Sequence, residues 1–159
     1  MADPIHLQLL DDVAARIIEL NLEGIGQRVH VVQIGDDEAP IVAPELLPAA
    51  LVCPFGTEEI AREYNICDDI NFPCFVIFLD NANKDIQDRA KLAQRLGWRQ
   101  LVREKMHRVG MLRTPAGQGY EPVCSFETIV DVSAWFDKAK YASALRITAQ
   151  AKKVPRTRG

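Results

Sequence analysis

The sequence predicts an α+β domain, a mostly antiparallel sheet of about four to five strands with two main helices packed on one face. Three observations predict it. Amphipathic helical stripes open the chain and span its middle, short runs rich in β-branched and apolar residues lie between and after them, and the order is helix, strand, loop, strand, strand, long helix, strand, strand. With 159 residues, 48% of them apolar, the chain makes one domain with a real core. Residues 1–151 are expected to form that domain, and 152–159 a basic C-terminal tail.

Asp3 is a good N-cap and Pro4 a good first helical residue, after which Leu9, Leu10, Val13, Ile17 and Leu20 recur at helical spacing. This helix should stop between Asn21 and Gly24, where a glycine can take the left-handed conformation that helix ends favour. Arg28 to Ile34 is rich in β-branched residues and reads as a strand closed by Gly35-Asp36-Asp37. Gly35 to Pro48 is a loop, because Pro40, Pro44 and Pro48 exclude a helix interior and leave little room for a paired strand.

A short strand, Ala49 to Cys53, ends at Pro54-Phe55-Gly56. Thr57-Glu58-Glu59 either caps a brief helix or starts a polar excursion that lasts to Asp69. Phe72 to Leu79 is a continuous apolar run and reads as a central strand covered on both faces. From Lys84 to Met106 the pattern is helical, with Ile86, Ala90, Leu92 or Ala93, Leu96, Leu101 or Val102, and Met106 on one apolar face. The other face carries Arg89, Arg95, Arg99, Arg103 and Arg108. Arg113 to Pro122 is a loop, Val123 to Val132 a half-buried strand, Ser133 to Asp137 a short turn or helix, and Ala142 to Ala151 a last strand through Leu145, Ile147 and Ala149.

The net charge of −3 conceals a sharp division. Residues 1–83 hold 15 acidic and 3 basic side chains, a net −12, while residues 84–159 hold 7 acidic and 16 basic, a net +9. An asymmetry of that size points to partners of opposite charge. No window approaches the roughly 18 to 20 apolar residues that a bilayer span needs, and Met1-Ala2-Asp3-Pro4 lacks a basic leader, so neither a membrane nor a secretory signal is expected. Cys53, Cys67, Cys74 and Cys124 are dispersed, three of them among apolar neighbours, which predicts free buried thiols and a reducing compartment.

The usual chemistries find no foothold. His6, His30 and His107 are isolated, with no metal-ligand spacing. Cys74 lies mid-strand and Cys53 precedes Pro54, poor settings for a nucleophile, and no nucleophile elbow or phosphate loop occurs. The acidic pairs Asp11-Asp12, Asp36-Asp37-Glu38, Glu58-Glu59 and Asp68-Asp69 match no calcium loop and read as solvated or partner-facing carboxylates. No catalytic, cofactor or metal site is expected. The arginine helix permits three readings: a solvated face, a nucleic-acid track, or a contact for an acidic partner. If copies meet through different faces, an acidic surface of one can neutralise a basic surface of the next, and such heterologous contacts close into rings.

Several stretches together resemble the tail terminator, or tail completion, proteins of long-tailed bacteriophages. They are the opening helix Ile5 to Leu22 with strand Val29 to Ile34, the strand leading to Pro54-Phe55-Gly56-x-Glu58, Asp68-Asp69-Ile70-x-Phe72-Pro73 running into Val76-Ile77-Phe78-Leu79-Asp80, and a last strand Ala144 to Ala151 finishing with Arg156 and Arg158. These motifs are degenerate and carry no catalytic residue. The resemblance implies a small non-enzymatic α/β virion protein in a six-fold ring on the tail tube, one that stops tube growth and offers the docking surface for the head connector. Its implied partners are copies of itself, the tail tube protein, the connector or neck proteins, and viral DNA passing through the pore without sequence-specific binding. A neck ring protein of the same particle is one rival, and a nucleic-acid-binding module using the arginine helix with Lys152, Lys153, Arg156 and Arg158 is another. Candidate contact residues are Arg89, Arg95, Arg99, Arg103 and Arg108, the acidic Asp36, Asp37, Glu38, Glu58, Glu59, Asp68 and Asp69, and the basic tail. Reversing Arg99 and Arg103 to Glu is expected, on this reading, to weaken assembly without unfolding the domain.

Overall fold

The apolar run around Phe72–Leu79 is the middle of a much longer strand that organises the whole molecule. The structure, a computed structural model, describes residues 3–33, 44–81, 87–126 and 140–156. In chain order these form α1 (Ile5–Glu19), β1 (Val29–Val31), a single 3-10 turn (Pro44–Leu46), β2 (Ala49–Pro54), β3 (Glu59–Glu63), β4 (Cys67–Asn81), α2 (Arg89–Met106), β5 (Leu112–Arg113), β6 (Gly119–Phe126) and β7 (Lys140–Pro155). The seven strands make one sheet in the order β1-β2-β4-β7-β6-β5, with β3 pairing with β4 off that path.

In place of four to five mostly antiparallel strands, the sheet has seven among the described residues and is mixed, since β1 runs parallel to β2 while the other pairings described are antiparallel. One edge of β4 is lined by β7 from Cys67 to Asn81. Its other edge is shared, β3 taking Asp68–Asn71 and β2 taking Cys74–Leu79. The N-terminal part of β4 therefore projects beyond β2 and carries β3 with it.

Side chains alternate across this sheet. Phe72, Cys74, Val76 and Phe78 of β4, Leu145, Ile147, Ala149 and Ala151 of β7, and Tyr120 and Cys124 of β6 all enter one core with Leu9, Leu10, Val13 and Ile17 of α1 and Trp98, Val102 and Met106 of α2. Both helices thus lie on the same face, as expected. The opposite face holds a smaller cluster of Ala49, Leu51 and Leu79 covered by Leu47. Leu145, Ile147 and Ala149 of the predicted last strand are all buried.

Several boundaries differ from expectation. Pro4, not Asp3, occupies the N-cap of α1 and makes no side-chain cap; the backbone carbonyl of Asp3 instead accepts a hydrogen bond from Gln8 Nε2 at 2.7 Å. After the helix the chain turns through Asn21, Gly24 and Gly26, all at positive φ. The region from Thr57 to Asp69 is neither a helix nor an unpaired excursion, but holds β3 and the start of β4. Helix α2 starts at Arg89 behind Asp88, whose carboxylate accepts from the Lys91 backbone N–H at 3.0 Å. Strand β6 begins at Gly119 inside the expected loop, and β7 runs on through Lys152 and Lys153, so the tail does not begin at 152. Ile34, the loop from Gly35 to Ala43, Lys84, Ile86 and the short element Ser133–Asp137 lie outside the described residues.

The four cysteines are free, with Cys53, Cys74 and Cys124 buried. Burial pushes the Cys53 and Cys124 thiols up to about 11 and Cys74 to about 12, so all three are protonated near neutral pH. No helix among the described residues is long and apolar enough to cross a membrane.

Candidate interaction surfaces

Helix α2 is rotated from the expected orientation: Val102 and Met106 of the expected apolar face are buried, but Arg95 and Arg99 of the expected outer face are buried with them in place of Leu92 and Leu96. Trp98, Val102 and Met106 face the core, and the residues that complete their side of the helix are Arg95 and Arg99, only 6% and 9% exposed. The sheet prepares two polar positions for them. Asp80, at the end of β4 and 3% exposed, takes Arg95 Nε and Nη2 on one carboxylate oxygen at 3.3 Å each, and Lys91 Nζ on the same oxygen at 2.7 Å. Arg95 also donates to the Asn81 carbonyl at 2.7 Å, and its guanidinium lies 4.3 Å from the Tyr141 ring centroid. Arg99 Nη1 donates to Ser143 Oγ at 2.8 Å and to the Ala144 carbonyl at 2.5 Å. Burial lowers the Arg99 pKa from its usual value, with nearby Tyr141 opposing the shift.

Leu92, Leu96 and Leu101 of the expected apolar face are exposed by 55%, 42% and 43%, and Ala90 and Ala93 are exposed with them. A Cβ added at Gly97, beside them, would meet nothing within 4 Å. Leu92 and Leu96, four residues apart, stack on one flank of the helix, a pair more than scattered surface leucines, while Leu101 is exposed on the opposite side. Arg89 at the helix start is exposed and Arg103 half-exposed; among the described residues no salt bridge engages either. Arg108 is exposed just past the helix at φ 50°, its backbone N–H bonded to the Pro122 carbonyl.

The acidic candidates divide. Asp68 and Asp69 are 7% and 5% exposed and satisfied from inside the fold. Arg156 clasps Asp68 through Nε at 3.0 Å and Nη2 at 2.7 Å, and extends Nη1 and Nη2 to the Asn65 and Tyr64 carbonyls. Asp69 accepts from the Lys153 backbone N–H at 2.8 Å and from Tyr64 Oη at 3.3 Å. Lys153 has φ 51°, and the β4–β7 register shifts between Asp68 and Ile70, so the Asp69 carboxylate takes a backbone donor that the irregular ladder leaves over. Burial and internal pairing remove both carboxylates from the contact surface. Lys152 is likewise engaged, by Glu121 at 3.5 Å, Asp69 at 3.9 Å and Gln150.

Glu58 and Glu59 remain outside, with Glu63. Glu58 lies 3.6 Å from the His6 ring. The turn that delivers them, Pro54-Phe55-Gly56-x-Glu58, is held by Phe55 stacked on Phe75 at 3.9 Å, and Gly56 takes φ 76° where a Cβ would sit 3.4 Å from the Pro73 ring. Strand β3 follows, exposed at every residue. Ile60 and Ile66 are 58% and 73% exposed there, so β3 and its turn into β4 form an apolar tip rimmed by Glu58, Glu59 and Glu63. Sequence reasoning missed this tip, because an all-exposed strand has no alternation to detect. The isoleucines within a polar stretch were the available signal. Asp36, Asp37, Glu38 and Arg158 lie outside the described residues.

The Asp68–Arg156 pair has a pH signature. Arg156 holds the Asp68 carboxyl below its usual range, so the native state favours the ionised form. The resulting stabilisation is complete above the unfolded value of about 3.9 and is lost as pH falls through the lowered native value. Arg156→Gln should therefore lower the urea midpoint at pH 7, with the difference from wild type shrinking progressively below about pH 4. A difference that persists unchanged at pH 2 would assign the effect to the carbonyl contacts instead.

Among the described residues no three His, Cys, Asp or Glu side chains gather as a metal site. A shallow cleft of about 610 Å³ opens between the start of α1 and the β5–β6 turn, lined by Ile5, Gln8, Met111, Arg113, Gln118 and Lys152. The nucleic-acid track loses two of its three aligned arginines to the core, since Arg95 and Arg99 both face the sheet.

No protein-family model matches this chain, and no curated protein matches it. Among solved structures it is similar to a chain of the "Virion of native gene transfer agent (GTA) particle", at 12% identity and a TM-score of 0.39, over 94% of this chain and 86% of that one. A likeness of that depth says nothing about what the chain does.

Proposed function

We propose that this chain is a structural virion protein of the tail-terminator kind, which assembles as a ring on the tail tube, ends tube growth and receives the head connector. The observation that carries the reading is the outer flank of α2, where Leu92 and Leu96, one turn apart, stand in solvent while Arg95 and Arg99 of the same helix are buried. A chain that buries arginine and exposes leucine on one helix keeps its apolar surface for a protein partner. The motifs that resemble tail terminators fit a scaffold role. Asp68, Asp69, Phe55, Gly56 and Arg156 hold the projecting end of the sheet together instead of converging on a reaction centre.

In this reading the protein is not an enzyme, works in the virion, and contacts copies of itself, the tube protein and the connector, with DNA passing through the pore. Light scattering and negative-stain imaging test it. The purified chain, alone or mixed with tail tubes, should give closed rings seated on tube ends. A chain that stays monomeric in both settings overturns the reading.

A further inference from the structure

We infer that the apolar β3 tip of one copy docks on the outer flank of α2 of the next, making the ring contact heterologous. The inference rests on the ring reading above and names the two surfaces it would use.

Both surfaces lie on this chain and match in character. The tip offers Ile60 and Ile66 within a rim of Glu58, Glu59 and Glu63, against Arg62 as the cation of β3. The helix flank offers Leu92 and Leu96 beside Arg89 and Arg103, with Glu104, which accepts from Gln100, further round the helix. Apolar centres would meet while the acidic rim faces the arginines, the arrangement that orients protein contacts and excludes wrong registers.

The two surfaces cannot meet within one molecule. β3 pairs with β4 at Asp68–Asn71, whereas α2 is anchored by Arg95 to Asp80 at the other end of that strand. Asn71 and Asp80 are separated by roughly 30 Å of strand at about 3.3 Å per residue. A contact between different patches at opposite ends propagates from copy to copy, and closes when the rotation per copy divides a full turn. Arg156 adds stiffness to the tip by tying β7 to the β3–β4 turn, through the Asn65 and Tyr64 carbonyls and Asp68.

The test uses one variant per surface. Leu96→Glu spoils the helix flank and Ile60→Lys the tip; both positions are exposed, so each variant should melt within a few degrees of wild type. Each alone should be monomeric by light scattering under conditions where wild type forms rings. Mixed in equal amounts they should give a heterodimer and nothing larger, because the intact tip of the Leu96→Glu chain fits the intact flank of the Ile60→Lys chain and both outer ends are dead. Variants that still form rings, or a mixture that stays monomeric, overturn the pairing and leave the ring reading standing. A wild-type chain that is monomeric alone and on tail tubes overturns both.

Discussion

Arg99→Glu should destabilise the domain by about 3–5 kcal/mol, the range expected when a buried charge loses its partners. In a chain of this size that is a drop in melting temperature of roughly 10 °C. Arg99 donates to Ser143 Oγ and to the Ala144 carbonyl beneath α2, and a carboxylate there would face the same two oxygens. The carbonyl cannot donate, so only the hydroxyl could adapt. Arg103→Glu, one turn along the same helix and half-exposed, should stay within about 0.5 kcal/mol of wild type. Urea unfolding of the two variants separates them. Equal, small effects would mean that the leucine flank, not the arginine flank, faces the sheet. The expectation that reversing Arg99 leaves the fold intact is corrected by its burial; Arg103 alone remains a usable surface probe.

Trp98→Ala is the second large effect, again about 3–5 kcal/mol, the usual cost of removing a buried large aromatic side chain. The indole is 1% exposed, its ring centroid lies 5.9 Å from that of Phe78, and its Nε1–H donates to the Glu23 carbonyl at 2.8 Å. The truncation removes packing against β4 and also the link that ties α2 to the turn after α1. Leu96→Ala, two residues away on the same helix, should change stability by no more than a few tenths of a kcal/mol, since the leucine is exposed and alanine is the better helix former. Thermal melts of both variants decide the point. A Leu96→Ala loss comparable to that of Trp98→Ala would overturn the orientation of α2.

The error over α2 has an instructive cause. Counting apolar residues at helical spacing puts Leu92, Leu96, Leu101 or Val102, and Met106 on one face, but the buried face centres on the largest side chain, Trp98, and keeps only Val102 and Met106 of that set. Asp80 was the second clue. It continues the parity of Phe72, Cys74, Val76 and Phe78 onto the helix-bearing face, where an acid is tolerated only beside a cation. Arginines four residues apart on the following helix could supply it.

What the sequence by itself determined is the set of elements whose own residues alternate or recur: α1, β2, the core of β4, the inward row of β7 and the placement of both helices on one face. In these, local periodicity and burial demand the same thing, so the pattern is legible without a partner. Tertiary structure alone decided β3, the parallel β1–β2 pair, the extension of β7 through Lys153 and the inward turn of Arg95 and Arg99. Each depends on a neighbour distant in sequence: β4 lends β3 a ladder, Asp69 receives the Lys153 N–H, and Asp80 and Ser143 receive the two guanidiniums. A charged side chain is stable on a buried face only when its counterpart is brought there by another strand, and periodicity along one element carries no record of that counterpart.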